Sequence, residues 1–228
     1  MATTVQTLAE RVAADLRAEI VARRLRPGDP LPGEIEHARR LGVSRGIVRE
    51  GRRQLVADGL IEVANGRRAV VSKLRAAPLD GFLANAVATR QLALDEVLEL
   101  RRAIEIAVAG LAARRRTAAD IASLTRLAGQ MRASVGRTAY LRHYLEFHLA
   151  LARATQNPLF LMLIESMREP LAASMRASHI RRRGPRDFAQ AHAVHEAIFE
   201  TVRAGDAEGA ENAMRAHLAD VAAALESR

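Results

Sequence analysis

The sequence contains no cysteine, and Lys73 is its only lysine. Without cysteine the chain cannot form disulfide bonds, thiolate metal sites or cysteine nucleophiles, which fits a reducing cytoplasm. No apolar run reaches the ~20 residues that a membrane-spanning helix needs. Met1 to Glu10 shows no charged stretch followed by an apolar core, so we expect no secretory signal. These absences predict a cytoplasmic protein that does not enter a membrane.

Positive charge is abundant, and nearly all of it is arginine. The net charge is +9 over 228 residues. The planar guanidinium group binds phosphate and guanine edges through two parallel hydrogen bonds, which lysine cannot do. A basic composition alone does not identify a nucleic-acid-binding protein. The arrangement of the arginines therefore has to decide.

Three short helices are predicted near the N-terminus. Apolar residues at helical spacing predict the first over about 8–25, and the loop Arg26–Gly33, rich in proline and glycine, ends it. A second helix over Glu34–Leu41 is closed by Gly42, a favourable C-cap. Ser44 is a suitable N-cap for a third helix, which ends near Asp58 and Gly59.

A β-hairpin is predicted directly after these helices. The short β-branched segments 60–63 and 68–71 flank the sequence Ala64-Asn65-Gly66-Arg67, and Asn-Gly between two such segments is a strong hairpin signal. A two-stranded hairpin is marginal in isolation, so it must pack against the helices. The order predicts a winged helix-turn-helix over residues 1–72.

The remainder of the chain is predicted to be entirely helical. A linker over 73–80 precedes a helical domain over 81–228, which is large enough to enclose a core and a ligand cavity. The fold class is therefore mainly α, with a winged helix-turn-helix before an all-α bundle. Helices are expected at about 94–115, 117–134, 137–155, 158–178, 187–204 and 206–226.

The third helix and the hairpin tip carry the predicted DNA-binding residues. Arg45 and Arg49 are four residues apart and share one face of the helix, which suits base readout in the major groove. Gly66 lets the tip approach the sugar-phosphate backbone, and Arg67 can bind phosphate or the minor groove. A charge run is often only a solvated helix face, but here it coincides with the element that enters the groove.

The first 72 residues resemble the head of the GntR family of bacterial regulators. The similarity spans about residues 7–72 and rests on Pro27-Gly28, Leu31-Pro32, Leu41 to Arg45, Val48 to Glu50, Leu55, Asp58 to Leu60 and Gly66. It implies that Arg45 and Arg49 read bases, while Ser44, Gly46, Gly66 and Arg67 approach the backbone or minor groove. At position 35 the family usually has an arginine that contacts DNA. Ile35 cannot make that contact.

The helical part resembles the FCD domain, the ligand domain of the FadR branch of that family. The similarity covers most of residues 95–218 and rests on Val97 to Glu105, Phe147 to Pro158, and His195 with Ile198, Gly205-Asp206, Ala210, Met214 and His217-Leu218. It implies that His148, His195 and His217 bind a divalent metal such as zinc, nickel or manganese. It also implies that Arg101 binds the carboxylate of an organic-acid effector. An arginine in an Arg-Arg pair would otherwise lie on the surface.

Tyr144 leaves two alternatives open for this site. The resemblance implies an aspartate as fourth ligand, and Tyr144 stands at that position, so the carboxylate charge that favours a cation is lacking. Three neutral imidazoles can still hold zinc, with water or an effector carboxylate completing the shell. In the other alternative the pocket is metal-free, and Tyr144 and the histidines bind the effector directly. The basic segment 181–186 is interpreted as a solvated loop, with a phosphate contact as its alternative.

The sequence thus predicts a DNA-binding transcription regulator that responds to a ligand. The resemblance implies a homodimer on a pseudo-palindromic operator in double-stranded DNA, and a repressor released by a small carboxylate. The alternative is a DNA-binding dimer whose helical domain senses nothing. A zinc hydrolase would require a general base near the metal, and no His-Glu-x-x-His pairing occurs in the sequence. We therefore predict that the protein is not an enzyme.

Overall fold

The chain folds into two compact units, Met1–Pro78 and Leu79–Arg228. The structure is a computed structural model, which describes residues 6–63, 68–134, 137–170, 172 and 185–226. The first unit contains α1 (Leu8–Ala22), α2 (Glu34–Leu41), α3 (Arg45–Ala57), β1 (Ile61–Glu62) and β2 (Val70–Val71). The second is helical throughout its described residues, so the predicted mainly α architecture is confirmed.

Local capping determines where the helices of the first unit begin and end. Thr7 accepts a hydrogen bond from the Glu10 backbone N–H (3.1 Å), and the Glu10 carboxylate accepts one from the Thr7 N–H (2.7 Å). This reciprocal capping box satisfies two backbone donors at the start of α1. α2 ends at Gly42, whose φ of 64° is left-handed. The predicted C-cap is therefore correct, and a glycine adopts this conformation without strain.

The hairpin is antiparallel, with Ile61 opposite Val71 and Glu62 opposite Val70. Its strands are shorter than the sequence predicts, and a third segment supports them. The loop between α1 and α2 pairs with β2, since the Leu31 N–H donates to the Ala69 carbonyl (2.8 Å) and the Val71 N–H to the Asp29 carbonyl (3.0 Å). The predicted tip residues Gly66 and Arg67 lie outside the described residues.

The helices of the first unit enclose an apolar core. α1 and α3 pack closely, because the Gly51 backbone approaches α1 so nearly that a Cβ there would lie 2.7 Å from the Ala9 carbonyl oxygen. The core consists of Val12, Ala13, Leu16, Ile20, Leu31, Ala38, Val48, Leu55, Ile61, Ala69 and Val71. Because Val48 and Leu55 point inward, the opposite face of α3 is left to solvent.

The second unit contains seven described helices. They are α4 (Ala77–Ala88, which begins just before the unit boundary), α5 (Leu94–Arg115), α6 (Ala118–Ala133), α7 (Arg137–Ala154), α8 (Pro158–Ser166), α9 (Pro185–Ala204) and α10 (Ala207–Glu226). α7 packs against α5, α6 and α8, while α10 packs against α5 and α9. Asn157 caps α8, whose first residue is Pro158, as predicted.

Two features of this unit differ from the sequence prediction. The segment 73–80 is predicted as a linker without a helix, but α4 begins at Ala77. Pro78 and Gly81 suggest a break, although proline is tolerated in the first turn of a helix. α8 ends at Ser166, with a turn at Met167, and is not the continuous helix predicted over 158–178.

Candidate functional site

α3 presents a basic face at its N-terminus. The Ser44 hydroxyl accepts a hydrogen bond from the Ile47 backbone N–H (3.3 Å) and caps the helix. Arg45, Gly46 and Arg49 are exposed, as is Ser44 itself. Within the described part of the chain Arg45 forms no ion pair, so its guanidinium group can bind a ligand without first breaking one.

Other arginines of α2 and α3 already bind groups of the protein. The Arg49 guanidinium group lies 3.2 Å from Glu34 on α2. Arg52 is buried and donates a hydrogen bond to the Pro32 carbonyl. Arg40 bridges two carboxylates of α1, those of Asp15 and Glu19, at 2.7 Å each. The surface available for DNA is therefore smaller than the number of arginines in the sequence suggests.

Ile35, which stands where the GntR family usually has an arginine, lies on the surface. Ile35 is 66% exposed in the first turn of α2. Its neighbour Glu34 is the residue that pairs with Arg49, so the start of α2 lies beside the exposed face of α3. An uncharged side chain stands at this position, where it adds no attraction for phosphate.

Three histidines from three helices meet in the interior of the second unit. His148 comes from α7, His195 from α9 and His217 from α10, and all are buried. One potential ligand nitrogen from each lies within 4.8 Å of those of the other two. Imidazole nitrogen is a ligand for zinc and for several other divalent ions. The structure thus brings together the three residues predicted as metal ligands.

Tyr144 lies in the middle of this cluster. It precedes His148 by one turn of α7, and its ring centroid is 4.5 Å from that of His148, 5.1 Å from His195 and 5.8 Å from His217. Its hydroxyl oxygen is 3.1 Å from Nε2 of His217. Tyr144 is therefore part of the predicted site, as a hydrogen-bonding partner of one of the three imidazoles.

Arg101 also reaches the cluster. It does not lie on the surface, where an arginine of an Arg-Arg pair would ordinarily be expected. It is fully buried on α5, where its Nε donates to Glu105 Oε1 (2.6 Å) and Nη2 donates to the Tyr144 hydroxyl. Its Nη1 is buried and has no hydrogen-bond partner among the described residues. One nitrogen of the guanidinium group thus remains as a donor within the site.

Glu105 is the member of the site that the sequence analysis missed. Its Oε2 lies 2.5 Å from Nδ1 of His148, so the carboxylate joins Arg101 to a histidine of the cluster. The only signal in the sequence is the spacing of four residues from Arg101, which is equally typical of a pair on a helix surface. That Glu105 faces the interior follows from the packing of α5 against α7 and α10.

The charges of this buried pair depend on each other. Burial disfavours the charged form of Glu105, but Arg101 and His148 outweigh it and lower the pKa of the carboxyl group to about 2. Burial acts against the charge of Arg101 as well, while Glu105 and Tyr144 raise its pKa above the ordinary value. Burial lowers the pKa of His148, although Glu105 opposes this. His148 is therefore neutral near pH 7, as metal coordination requires.

The residues present fit a metal ion held by three histidines. His148 directs Nδ1 toward Glu105, while its Nε2 is buried and lacks a hydrogen-bond partner within the described ranges. A carboxylate on the outer nitrogen is the usual arrangement for a metal-binding histidine, since it fixes the ring orientation. An unsatisfied buried nitrogen otherwise costs free energy. Binding an ion would satisfy it.

Other candidate ligands lie elsewhere. Glu146 is bound by Arg168 (3.1 Å) and does not join the cluster, as its position two residues before His148 predicts. His37 is buried in the first unit, 3.0 Å from Asp15. His192 packs edge-on against Tyr140. His179 and the arginines at 181–183 lie outside the described residues.

Comparison with known proteins connects both units to described families. The family model "Bacterial regulatory proteins, gntR family" matches residues 8–71, and the FCD domain model matches residues 96–220. The HTH-type transcriptional regulator LutR of Bacillus subtilis is 33% identical over 86% of this chain and 91% of its own length. The Galactonate operon transcriptional repressor of Escherichia coli is 29% identical over 90% of each chain.

A solved structure supports the same relationship. Streptococcus agalactiae GntR superposes with a TM-score of 0.69 and 26% identity, covering 93% of this chain and 98% of the other. Among the described residues, no helix is both long and apolar enough to cross a membrane.

The buried Arg101–Glu105 pair provides the first test. Arg101→Met leaves Glu105 buried without its cation, so we expect the free energy of unfolding to fall by ~3–5 kcal/mol. The double variant Arg101→Met/Glu105→Met removes both charges and should recover most of this loss. Urea denaturation followed by far-ultraviolet circular dichroism measures both values. Equal losses in the single and the double variant would contradict the pairing.

The same proteins give a pH test with a defined sign. The pKa of Glu105 is about 2 in the folded chain against an ordinary 4.5, so the unfolded chain takes up this proton first as the pH falls. The stabilisation is present above about pH 4.5 and is lost toward pH 2. The unfolding free energy of the wild type should therefore fall more steeply through this range than that of the double variant. Parallel profiles would be inconsistent with a stabilising carboxylate.

Proposed function

The chain belongs to the GntR family of bacterial regulatory proteins and carries an FCD domain, and on that premise we propose that it is a repressor released from DNA by a small carboxylate. Its family consists of DNA-binding transcription regulators, not enzymes. The observation that carries the proposal is the buried cluster of His148, His195 and His217 beside Arg101. This cluster combines a potential cation site with a guanidinium donor, and both attract carboxylate oxygens.

Base recognition is assigned to the exposed face of α3. Arg45 and Arg49 would read base edges in the major groove, with Ser44 and Gly46 near the phosphates. Gly66 and Arg67, which the sequence predicts at the tip of the hairpin, would approach the backbone or minor groove. The exposure of Arg45 and its lack of an ion pair within the described residues support this assignment. Arg49 would exchange its contact with Glu34 for one with DNA.

The protein would bind as a homodimer to a pseudo-palindromic operator. Two recognition helices related by a two-fold axis reach half-sites ~34–36 Å apart, about one turn of DNA. A carboxylate bound in the helical unit needs to supply only ~1–3 kcal/mol of coupling free energy to change DNA affinity 5- to 150-fold. Release of a repressor requires that the effector favour the conformation with lower DNA affinity.

A divalent ion such as zinc, nickel or manganese would be held by the three histidines. When bound, it would supply a positive centre to which a carboxylate oxygen can coordinate. Glu105 fixes the orientation of His148, and Nη1 of Arg101 offers a second, directional contact for the effector. The relative named for the galactonate operon makes sugar acids and other small hydroxycarboxylates reasonable first ligands.

A DNA-binding dimer without a sensor is the second candidate. It is favoured by one observation: Arg101 is fully buried, and two of its nitrogens already bind Glu105 and Tyr144. An arginine neutralised in this way could serve packing alone. The two candidates differ in whether any carboxylate changes the affinity for DNA.

Arg45→Ala tests the recognition helix. We expect operator binding to weaken by roughly 1–3 kcal/mol, with discrimination lost at the base pair that Arg45 reads. Fluorescence anisotropy measures this on a duplex that the wild-type protein selects from random DNA. Arg203→Ala removes the same charge from an exposed pair with Glu200 in the helical unit and is the matched control. Equal weakening by both variants would reduce the role of Arg45 to general charge.

Small hydroxycarboxylates test the sensor. Galactonate, lactate or glycolate, added to the complex of protein and selected duplex, should lower the affinity for DNA between 5- and 150-fold. The corresponding alcohols without a carboxylate should have no effect, because they offer no anion to Arg101 or to a cation. Increased affinity would indicate an effector that promotes binding. Unchanged affinity with every carboxylate would favour the dimer without a sensor.

Metal content tests the histidine cluster. Purified wild-type protein should contain near-stoichiometric zinc, nickel or manganese by mass spectrometry, and His148→Ala should lose it, since two imidazoles bind an ion far more weakly than three. His143→Ala, on the same helix but outside the cluster, is the matched control. Absence of metal from the wild type, even after incubation with divalent ions, would leave effector binding to Arg101, Tyr144 and the histidines alone.

A further inference from the structure

Tyr144 occupies an unusual position for a residue beside a three-histidine site. It is fully buried, and its ring packs against all three imidazoles at centroid distances of 4.5–5.8 Å. Its hydroxyl group reaches past the rings of the cluster to Arg101 on one side and to His217 on the other. The hydroxyl therefore lies between the buried cation and a potential metal ligand.

The directions of these hydrogen bonds follow from the groups involved. Arginine has only donors, so the Tyr144 oxygen accepts the hydrogen bond from Arg101. Nε2 of His217, 3.1 Å away, then has two possible states. It either accepts the tyrosine O–H or carries its own proton and donates to the oxygen. In neither state does Nε2 present an open lone pair.

The Nε2 of His148, unlike that of His217, is not covered by a hydroxyl group. Glu105 lies against Nδ1 of His148, and Nε2 is buried without a partner among the residues described. One histidine of the cluster is thus prepared for coordination, while another is covered by a hydroxyl group. Both conditions trace to the same buried pair, since Arg101 holds Tyr144 and Glu105 holds His148.

We propose that the Tyr144 hydroxyl caps His217 and competes with a divalent ion for it, so that Tyr144 sets the metal affinity of the site by lowering it. This inference rests on the metal site of the proposed function and assigns a specific role to one residue within it. An ion that takes Nε2 of His217 as its ligand binds fully only after the hydroxyl group gives up that nitrogen, whereas an ion on Nδ1 would leave the contact intact and Tyr144→Phe would then not bind zinc more tightly. The opposite role, a tyrosine that coordinates the ion itself, predicts an effect of opposite sign.

Zinc affinity of Tyr144→Phe is the deciding measurement. This substitution keeps the aromatic ring and removes only the hydroxyl group, so the hydrogen bond to His217, worth ~1 kcal/mol, is lost. We expect zinc to bind about fivefold more tightly to the variant than to the wild type, measured by competition with a chromophoric chelator. Tyr140→Phe removes a buried hydroxyl one turn earlier on α7, outside the three-histidine cluster, and should leave zinc affinity unchanged.

A second variant covers the risk that Tyr144→Phe does not fold, since it deprives Arg101 of an acceptor. Tyr144→Asp removes the same hydroxyl group, donates nothing to His217 and adds a buried negative charge beside Arg101, so it should bind zinc more tightly than either other protein. Circular dichroism confirms the folding of each variant. Weaker zinc binding by a folded Tyr144→Phe or Tyr144→Asp than by the wild type would overturn the proposal.

DNA binding by the same samples separates this proposal from the function on which it rests. Proteins that bind the selected duplex but take up no zinc, whether wild type or variant, would overturn the competition model and leave the DNA-binding function intact. Tighter zinc binding by Tyr144→Phe, together with unchanged affinity for DNA in the absence of metal and effector, would support the competition model.

Discussion

The buried ion pair between Arg101 and Glu105 is the interaction on which the helical unit's site depends. Removing two charges from water is costly, and the mutual attraction offsets that cost only when the geometry and the remaining hydrogen bonds are good. Here the other contacts of the pair are made by residues of the site: Tyr144 accepts from Arg101, and His148 lies against Glu105. The contacts that stabilise the ion pair are thus the same contacts that position the residues of the site.

The net charge of the cluster follows from this arrangement. The charges of Arg101 and Glu105 cancel, and His148 is neutral near pH 7, so among the described residues no unbalanced carboxylate faces the imidazoles. Without one, a cation gains less in binding than at a site with an anionic ligand. The arrangement would suit a site in which an incoming carboxylate supplies the missing negative charge. Tyr144 adds a hydrogen bond to His217 where a carboxylate ligand would add charge.

Local signals predicted most of the fold, and long-range packing determined the rest. Capping by Ser44, Gly42 and Asn157 is a property of neighbouring residues, so the corresponding helix ends could be predicted. The three histidines were found through the family resemblance, because their meeting depends on how distant helices pack. Glu105 was missed since a spacing of four residues does not tell a buried face from an exposed one. Likewise, α4 was missed, since its first residues lie in the segment 73–80 that was predicted as a linker.

In the first unit, two arginines of the same helix, Arg45 and Arg52, have different environments. Arg52 is buried on α3 and donates to the Pro32 carbonyl, in the loop whose Leu31 N–H bonds to Ala69 next to β2. This chain of contacts connects α3 to the hairpin through hydrogen bonds, in addition to the apolar core. A helix and a wing held in fixed relation lose less conformational entropy when both contact DNA. Arg52 therefore helps to fix the position of the hairpin relative to α3, while Arg45 on the same helix stays exposed.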